Sequence, residues 1–168
     1  MSLINDPSMR EIVLDFCDES LELFGQLEEH LEVLEDDPTK TEKLEEFGQV
    51  IDRVMGAAKS IGAMEIATFC ELGKLIGYKS SQTKEVALVE VVVAILFDSV
   101  ELLRKMVDQI KTGNDNALDK LNTQAFVTRL NWLSDKFKDI ERSSCAVEPD
   151  RENLSQSSID DLMSSLGL

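Results

Sequence analysis

The chain has 168 residues, 43% of them hydrophobic and only three of them proline, which allows one domain with a buried core and long helices. Its formal charge of −16, from 33 acidic and 17 basic residues, opposes binding to nucleic acid or to an anionic membrane surface. Cys17, Cys70 and Cys145 are too widely spaced to suggest a disulfide framework or a zinc site. They read as buried or idle thiols in a reducing cytosol. The N-terminal MSLINDPSMREIV lacks the pattern of a signal peptide, and the longest apolar run, Val91 to Phe97, cannot span a bilayer. The expectation is a cytoplasmic protein.

In chain order, a first helix is predicted from Ser8 to Leu34, with Ile12, Val13, Phe16, Leu21, Phe24, Leu27, Leu31 and Leu34 inward and glutamates outward. Asp36, Asp37 and Pro38 break it. A second helix starts near Thr39 or Thr41 and runs to about Ile61, with the stripe Leu44, Phe47, Ile51, Val54, Ala58 and Ile61. Gly62 marks the turn. A third covers about Met64 to Tyr78, followed by a polar connection at Ser80, Ser81 and Gln82.

The fourth, roughly Lys84 to Lys111, opens with VALVEVVVAIL, which alone could pass for a strand. The apolar pattern continues without a breaker through Val100, Leu103, Met106, Val107 and Ile110, so it reads as a largely buried helix closed by Gly113 and Asn114. A fifth is expected from about Ala117 to Ile140, with Leu118, Leu121, Phe126, Leu130, Leu133 and Phe137 inward. Residues 141–153 are small, polar and aperiodic, which predicts a flexible linker. Residues 154–168 regain helical periodicity. The expected fold is all-α: an antiparallel bundle of about five helices over residues 1–140, a linker, and a short terminal helix.

On the second helix the segment Arg53-Val-Met-Gly56-Ala-Ala-Lys59-Ser60 is informative. Together with the acidic first helix, DFCDESLELFGQLEEHLEVLEDDP, and the helix order over roughly residues 8 to 140, it resembles the histidine-phosphotransfer (HPt) domains, including that of the chemotaxis kinase CheA. That family carries an arginine followed by His-x-x-Lys-Gly. Lys59 matches the lysine. Gly56 stands at the histidine position and Ser60 at that of the glycine. Phosphotransfer needs a nucleophilic imidazole, and the single histidine, His30, lies on the first helix and reads as a solvated surface residue. The resemblance therefore implies an HPt-like fold without ordinary phosphorelay chemistry. Gly56 is either the remnant of an unused site or a clearing where a receiver docks.

The same helix carries Glu45-Glu-Phe-Gly-Gln49-Val-Ile-Asp52-Arg53-Val-Met55. This is similar to the active segment of the CheZ family, phosphatases of the response regulator CheY, which use an acidic residue and a glutamine four positions later. Glu45 stands where that family has aspartate. The resemblance implies that Gln49 orients a water for attack on an aspartyl phosphate held by a Mg²⁺-loaded receiver, while Glu45 holds the receiver in register. Glu45, Gln49, Asp52, Gly56 and Lys59 cluster about 150° from the core stripe, so Asp52, Gly56 and Lys59 are expected to line a receiver-docking strip. The chain itself would need no cofactor. The same pattern also suits a plain solvated helix face.

In Leu154-Ser-Gln-Ser-Ser-Ile-Asp-Asp-Leu-Met-Ser-Ser-Leu-Gly-Leu168, the residues Ile159, Leu162, Met163 and Leu166 form one apolar stripe. Ser155 or Ser157 can cap the helix, and Asp160 and Asp161 suit its first turn. The segment is similar to the receiver-binding tail of CheZ and to the CheY-binding segment of the flagellar switch protein FliM, with its Leu-Ser-Gln-x-x-Ile-Asp-x-Leu pattern. It implies receiver contact through Ser155, Gln156, Ile159, Asp160, Leu162, Met163 and Leu166, in the helix-in-groove mode. Folding back onto the bundle, or pairing with a second copy, is the competing outcome. The expected function is a chemotaxis or two-component accessory protein that binds a CheY-like receiver. It then acts either as a phosphatase or as a non-catalytic pseudo-HPt adaptor.

Overall fold

A computed structural model describes residues 3–143 and 156–168. A short 3₁₀ turn, Pro7–Met9, leads into α1 (Arg10–Asp36), α2 (Glu42–Ile61), α3 (Met64–Ser81), α4 (Val86–Lys111), α5 (Gln124–Ser143) and α6 (Gln156–Leu166). The described residues hold no strand, so the β-branched opening of α4 is helical. Its Val92, Val93, Ile95 and Leu96 are buried.

Helices α1 to α4 form a closed ring: α1 packs on α2, α2 on α3, α3 on α4, and α4 returns to α1. Phe24, Leu27, Leu31, Phe47, Ile51, Phe69, Ile76 and Ile95 of these helices are almost wholly excluded from solvent. Burying each such side chain contributes about 1.5–3 kcal/mol. Helix α5 packs on α4, and it reaches α3 through the stacked rings of Phe69 and Phe126, whose centroids are 5.4 Å apart. Helix α6 packs on α3 and α5.

Local chemistry sets the boundaries. Asp6 accepts from the Ser8 backbone N–H at 2.9 Å, and α1 starts only at Arg10, later than the expected Ser8. It ends at Asp36, where the Asp37 carboxylate accepts from the Thr39 N–H and hydroxyl and turns the chain before α2. Gly62 (φ 76°) and Gly113 (φ 87°) take the left-handed conformation that a Schellman closure requires. There Ala63 N–H donates to the Ala58 carbonyl and Asn114 N–H to that of Gln109.

Several sequence expectations are corrected. Ser80 and Ser81 belong to the last turn of α3 rather than to a connection. Their hydroxyls donate to the carbonyls of Ile76 and Tyr78, so the polar side chains continue the helix instead of breaking it. Ile12 is 51% exposed rather than inward. Helix α5 starts at Gln124, not Ala117. The segment before it is a series of turns in which Lys120 has φ 61°, the Asn114 carboxamide accepts from Asn116 N–H, and Asn122 accepts from Gln124 N–H. Asparagine side chains compete here with helical hydrogen bonds. Ala117 is nonetheless buried, and Leu118 and Leu121 pack against the core, which is why their spacing imitated a helix. Residues 141–143 belong to α5; the rest of the expected linker, through Asn153, lies outside the described residues.

The terminal helix is not held apart from the bundle. Ile159, Met163 and Leu166 are buried against it, and Leu162 and Leu168 are partly buried. An 11-residue helix is marginal on its own in water, so α6 is held by the packing of this short stripe on the bundle.

Candidate functional site

The outer face of α2 carries Glu45, Gln49, Arg53, Gly56, Lys59 and Ser60, all exposed, with Asp52 half-buried beside them. They share a face because 3.6 residues complete a turn, while Leu44, Phe47, Ile51, Val54 and Ala58 point into the ring. Gln49 lies one turn beyond Glu45 and two turns before Gly56. The structure thus brings together the strip expected from the sequence.

Neighbouring helices border this strip with charge. Lys74 of α3 donates to both Asp52 carboxylate oxygens at 2.9 Å. On the α1 side, Arg53 lies 3.9 Å from the Glu19 carboxylate. Nearer the start of α2, Glu46 accepts from Lys43 at 2.7 Å, and this hydrogen bond holds the Glu46 carboxyl below the usual carboxylate range. The partly buried His30 brings Nδ1 to 3.3 Å from the same carboxylate. So the single histidine is tied to the flank of α1 and α2 and is no part of the Gly56 strip.

A Cβ placed on Gly56 would meet nothing within 4 Å, so the strip is open at this point. Ser60, one turn on, folds its hydroxyl back onto the carbonyls of Gly56 and Ala57 at 3.0 and 2.9 Å. Lys59, in the last turn of α2, places its charge favourably at the helix C-terminus.

The tail residues stand elsewhere. Ile159, Met163 and Leu166 face the bundle; Asp160 is exposed, 3.2 Å from the Ser134 hydroxyl and 3.6 Å from Lys138 Nζ, both on α5. Ser155 lies outside the described residues, and Gln156 opens the helix. The main neighbours of α6 are α3 and α5, so the tail and the α2 strip are separate surfaces.

Sequence reading missed Lys74. It could have been found: Gly62 and Ala63 form the turn of a helical hairpin, and residues equidistant from it, such as Asp52 and Lys74, face each other. Among the described residues no group of His, Cys, Asp and Glu could hold a metal ion, and no helix is long and apolar enough to cross a membrane.

The structure is thus a four-helix ring with an exposed polar strip along its second helix. The Hpt domain model matches residues 11–113, which is nearly the span of α1 to α4, and the chain belongs to the Hpt domain family. Comparison with curated proteins and with solved structures gives no match. Membership places the chain in two-component phosphorelay signalling, where Hpt domains interact with response-regulator receiver domains.

Proposed function

We propose that the chain binds a phosphorylated CheY-like receiver through its C-terminal helix and promotes its dephosphorylation with Gln49. The observation that carries this is the joint exposure of Glu45 and Gln49, one turn apart, on the same open strip as Gly56. Gly56 replaces the family's histidine in this reading, so the strip has nothing to accept a phosphoryl group. A carboxamide there can instead orient a water in line with the phosphorus of the receiver's aspartyl phosphate. The water oxygen bonds to phosphorus, the P–O bond to the aspartyl oxygen breaks with its electron pair left on the receiver's carboxylate, and inorganic phosphate leaves carrying the water's protons. A Mg²⁺ ion bound to the receiver would neutralise the charge that develops. Glu45 offers a carboxylate to a receiver lysine. Asp52, Gly56 and Lys59 complete the docking strip.

The tail would supply affinity and the strip chemistry. Covalent connection raises the local concentration of a captured receiver near α2.

The test is a dephosphorylation assay with a phosphorylated CheY-type receiver. The protein should accelerate phosphate release, and Gln49→Ala should return it to the basal rate. Equal rates with and without the protein would refute the phosphatase reading. If receiver binding then persists and is lost on deleting residues 154–168, the chain is a non-catalytic pseudo-HPt adaptor.

A further inference from the structure

Among the described residues of α6 expected to contact a receiver, the apolar ones pack against the bundle. Ile159 is 1% exposed and Met163 5%. Asp160, the acidic residue of the Ile-Asp-x-Leu pattern, faces Ser134 and Lys138 of α5. An 11-residue helix has one apolar stripe, and that stripe cannot lie in two grooves at once.

We infer that the seat formed by α3 and α5 is an intramolecular competitor for α6, so that a receiver captures the tail only when it leaves the bundle. The inference rests on the receiver-binding reading of the tail and adds its regulation. The docked state is marginal: the stripe is short, and Asp160 makes its polar contacts at the solvent-exposed edge. Such a contact lowers the apparent receiver affinity by the fraction of chains in which α6 is released. It also keeps an apolar stripe covered while no receiver is present.

The seat can be weakened without touching the tail. Lys138 is partly exposed, and Lys138→Glu sets a like charge opposite Asp160. Lys136→Glu makes the same charge change on α5, at a residue whose ammonium lies over the Trp132 ring, and serves as control. Full-length wild type, Lys138→Glu and Lys136→Glu are titrated with a phosphorylated CheY-type receiver, and amide hydrogen exchange is followed in α6. Lys138→Glu should speed α6 exchange and tighten receiver binding by about three- to tenfold, while Lys136→Glu matches wild type. Receiver binding should also remove α6 protection against the bundle, seen as faster exchange in the facing residues of α3 and α5.

If Lys138→Glu loosens α6 but leaves affinity unchanged, or if α3 and α5 stay protected in the complex, the competition is refuted while the tail reading stands. If no variant binds the receiver, or if binding survives deletion of residues 154–168, the tail reading fails and the competition with it.

Discussion

Lys74 and Asp52 join α3 to α2 through two hydrogen bonds of 2.9 Å from one ammonium to both carboxylate oxygens. Both side chains remain more than 40% exposed, so solvent screens the pair. Lys74→Ala should cost no more than about 1 kcal/mol in urea denaturation, and the loss should shrink as salt is added. It also leaves Asp52 as an uncompensated negative charge on the strip. A receiver whose phosphorylated face is acidic should then dock more weakly, while a basic one should gain.

Gly56 is an exposed helix-interior glycine with open space over it. Gly56→Ala should therefore raise stability by about 0.5–1 kcal/mol, since alanine loses less backbone entropy and meets no neighbour. Thermal denaturation should show an increase of a few degrees, on the order of 2–4 °C for a domain of this size. A lower melting temperature would mean that the glycine is needed for packing.

The thiols set an alkaline limit. Burial pushes Cys17 up to about 11, and Cys70, more deeply buried, is raised further. The folded chain thus keeps both protonated, whereas the unfolded chain releases their protons near the ordinary value of 9.0. Their contribution is fully present below pH 9 and is lost as pH rises toward and past 11. Urea midpoints should fall over that range, and less steeply in Cys70→Ala. At pH 8, thiol reagents followed by peptide mass mapping should leave Cys17 and Cys70 unlabelled until the chain unfolds.

Trp132, the single tryptophan, lies on α5 and is 42% exposed. It reports on α5 while circular dichroism is dominated by the ring. Deleting residues 156–168 removes a neighbour of α5 and α3. Its fluorescence transition should then move to lower urea than the dichroism transition, with the bundle still folded. Coincident transitions would show that α5 and the ring unfold as one unit.

Much of this was legible in the residues because it depends on local periodicity. The stripes of α1, α2 and α4 and the turn at Gly62 come from spacing and from glycine's backbone freedom, which need no tertiary information. The α2 strip was legible for the same reason. The start of α5 was not: Leu118 and Leu121 are placed by contact with the core, and Leu118 N–H donates to Glu65 of α3, a partner that no local pattern reveals. Helix α3 was only half legible. It packs against α2, α4 and α6, so Ala67, Cys70, Gly73 and Ser80 are buried as well as the periodic apolar residues Ile66, Phe69, Leu72, Leu75 and Ile76. Which groove receives α6 is likewise a property of the assembled bundle, and the stripe of Ile159, Met163 and Leu166 specifies only that some groove must.

The ring of α1 to α4 closes through the contact of α4 with α1, before α5 begins. Everything after Gly113 is laid mainly against α3 and α4, whereas α2 keeps its main contacts with α1 and α3. Exchange of α6 for a helix with another stripe need not disturb the placement of Gln49 or Gly56. The α2 strip and the terminal helix can therefore vary independently, each without rebuilding the other.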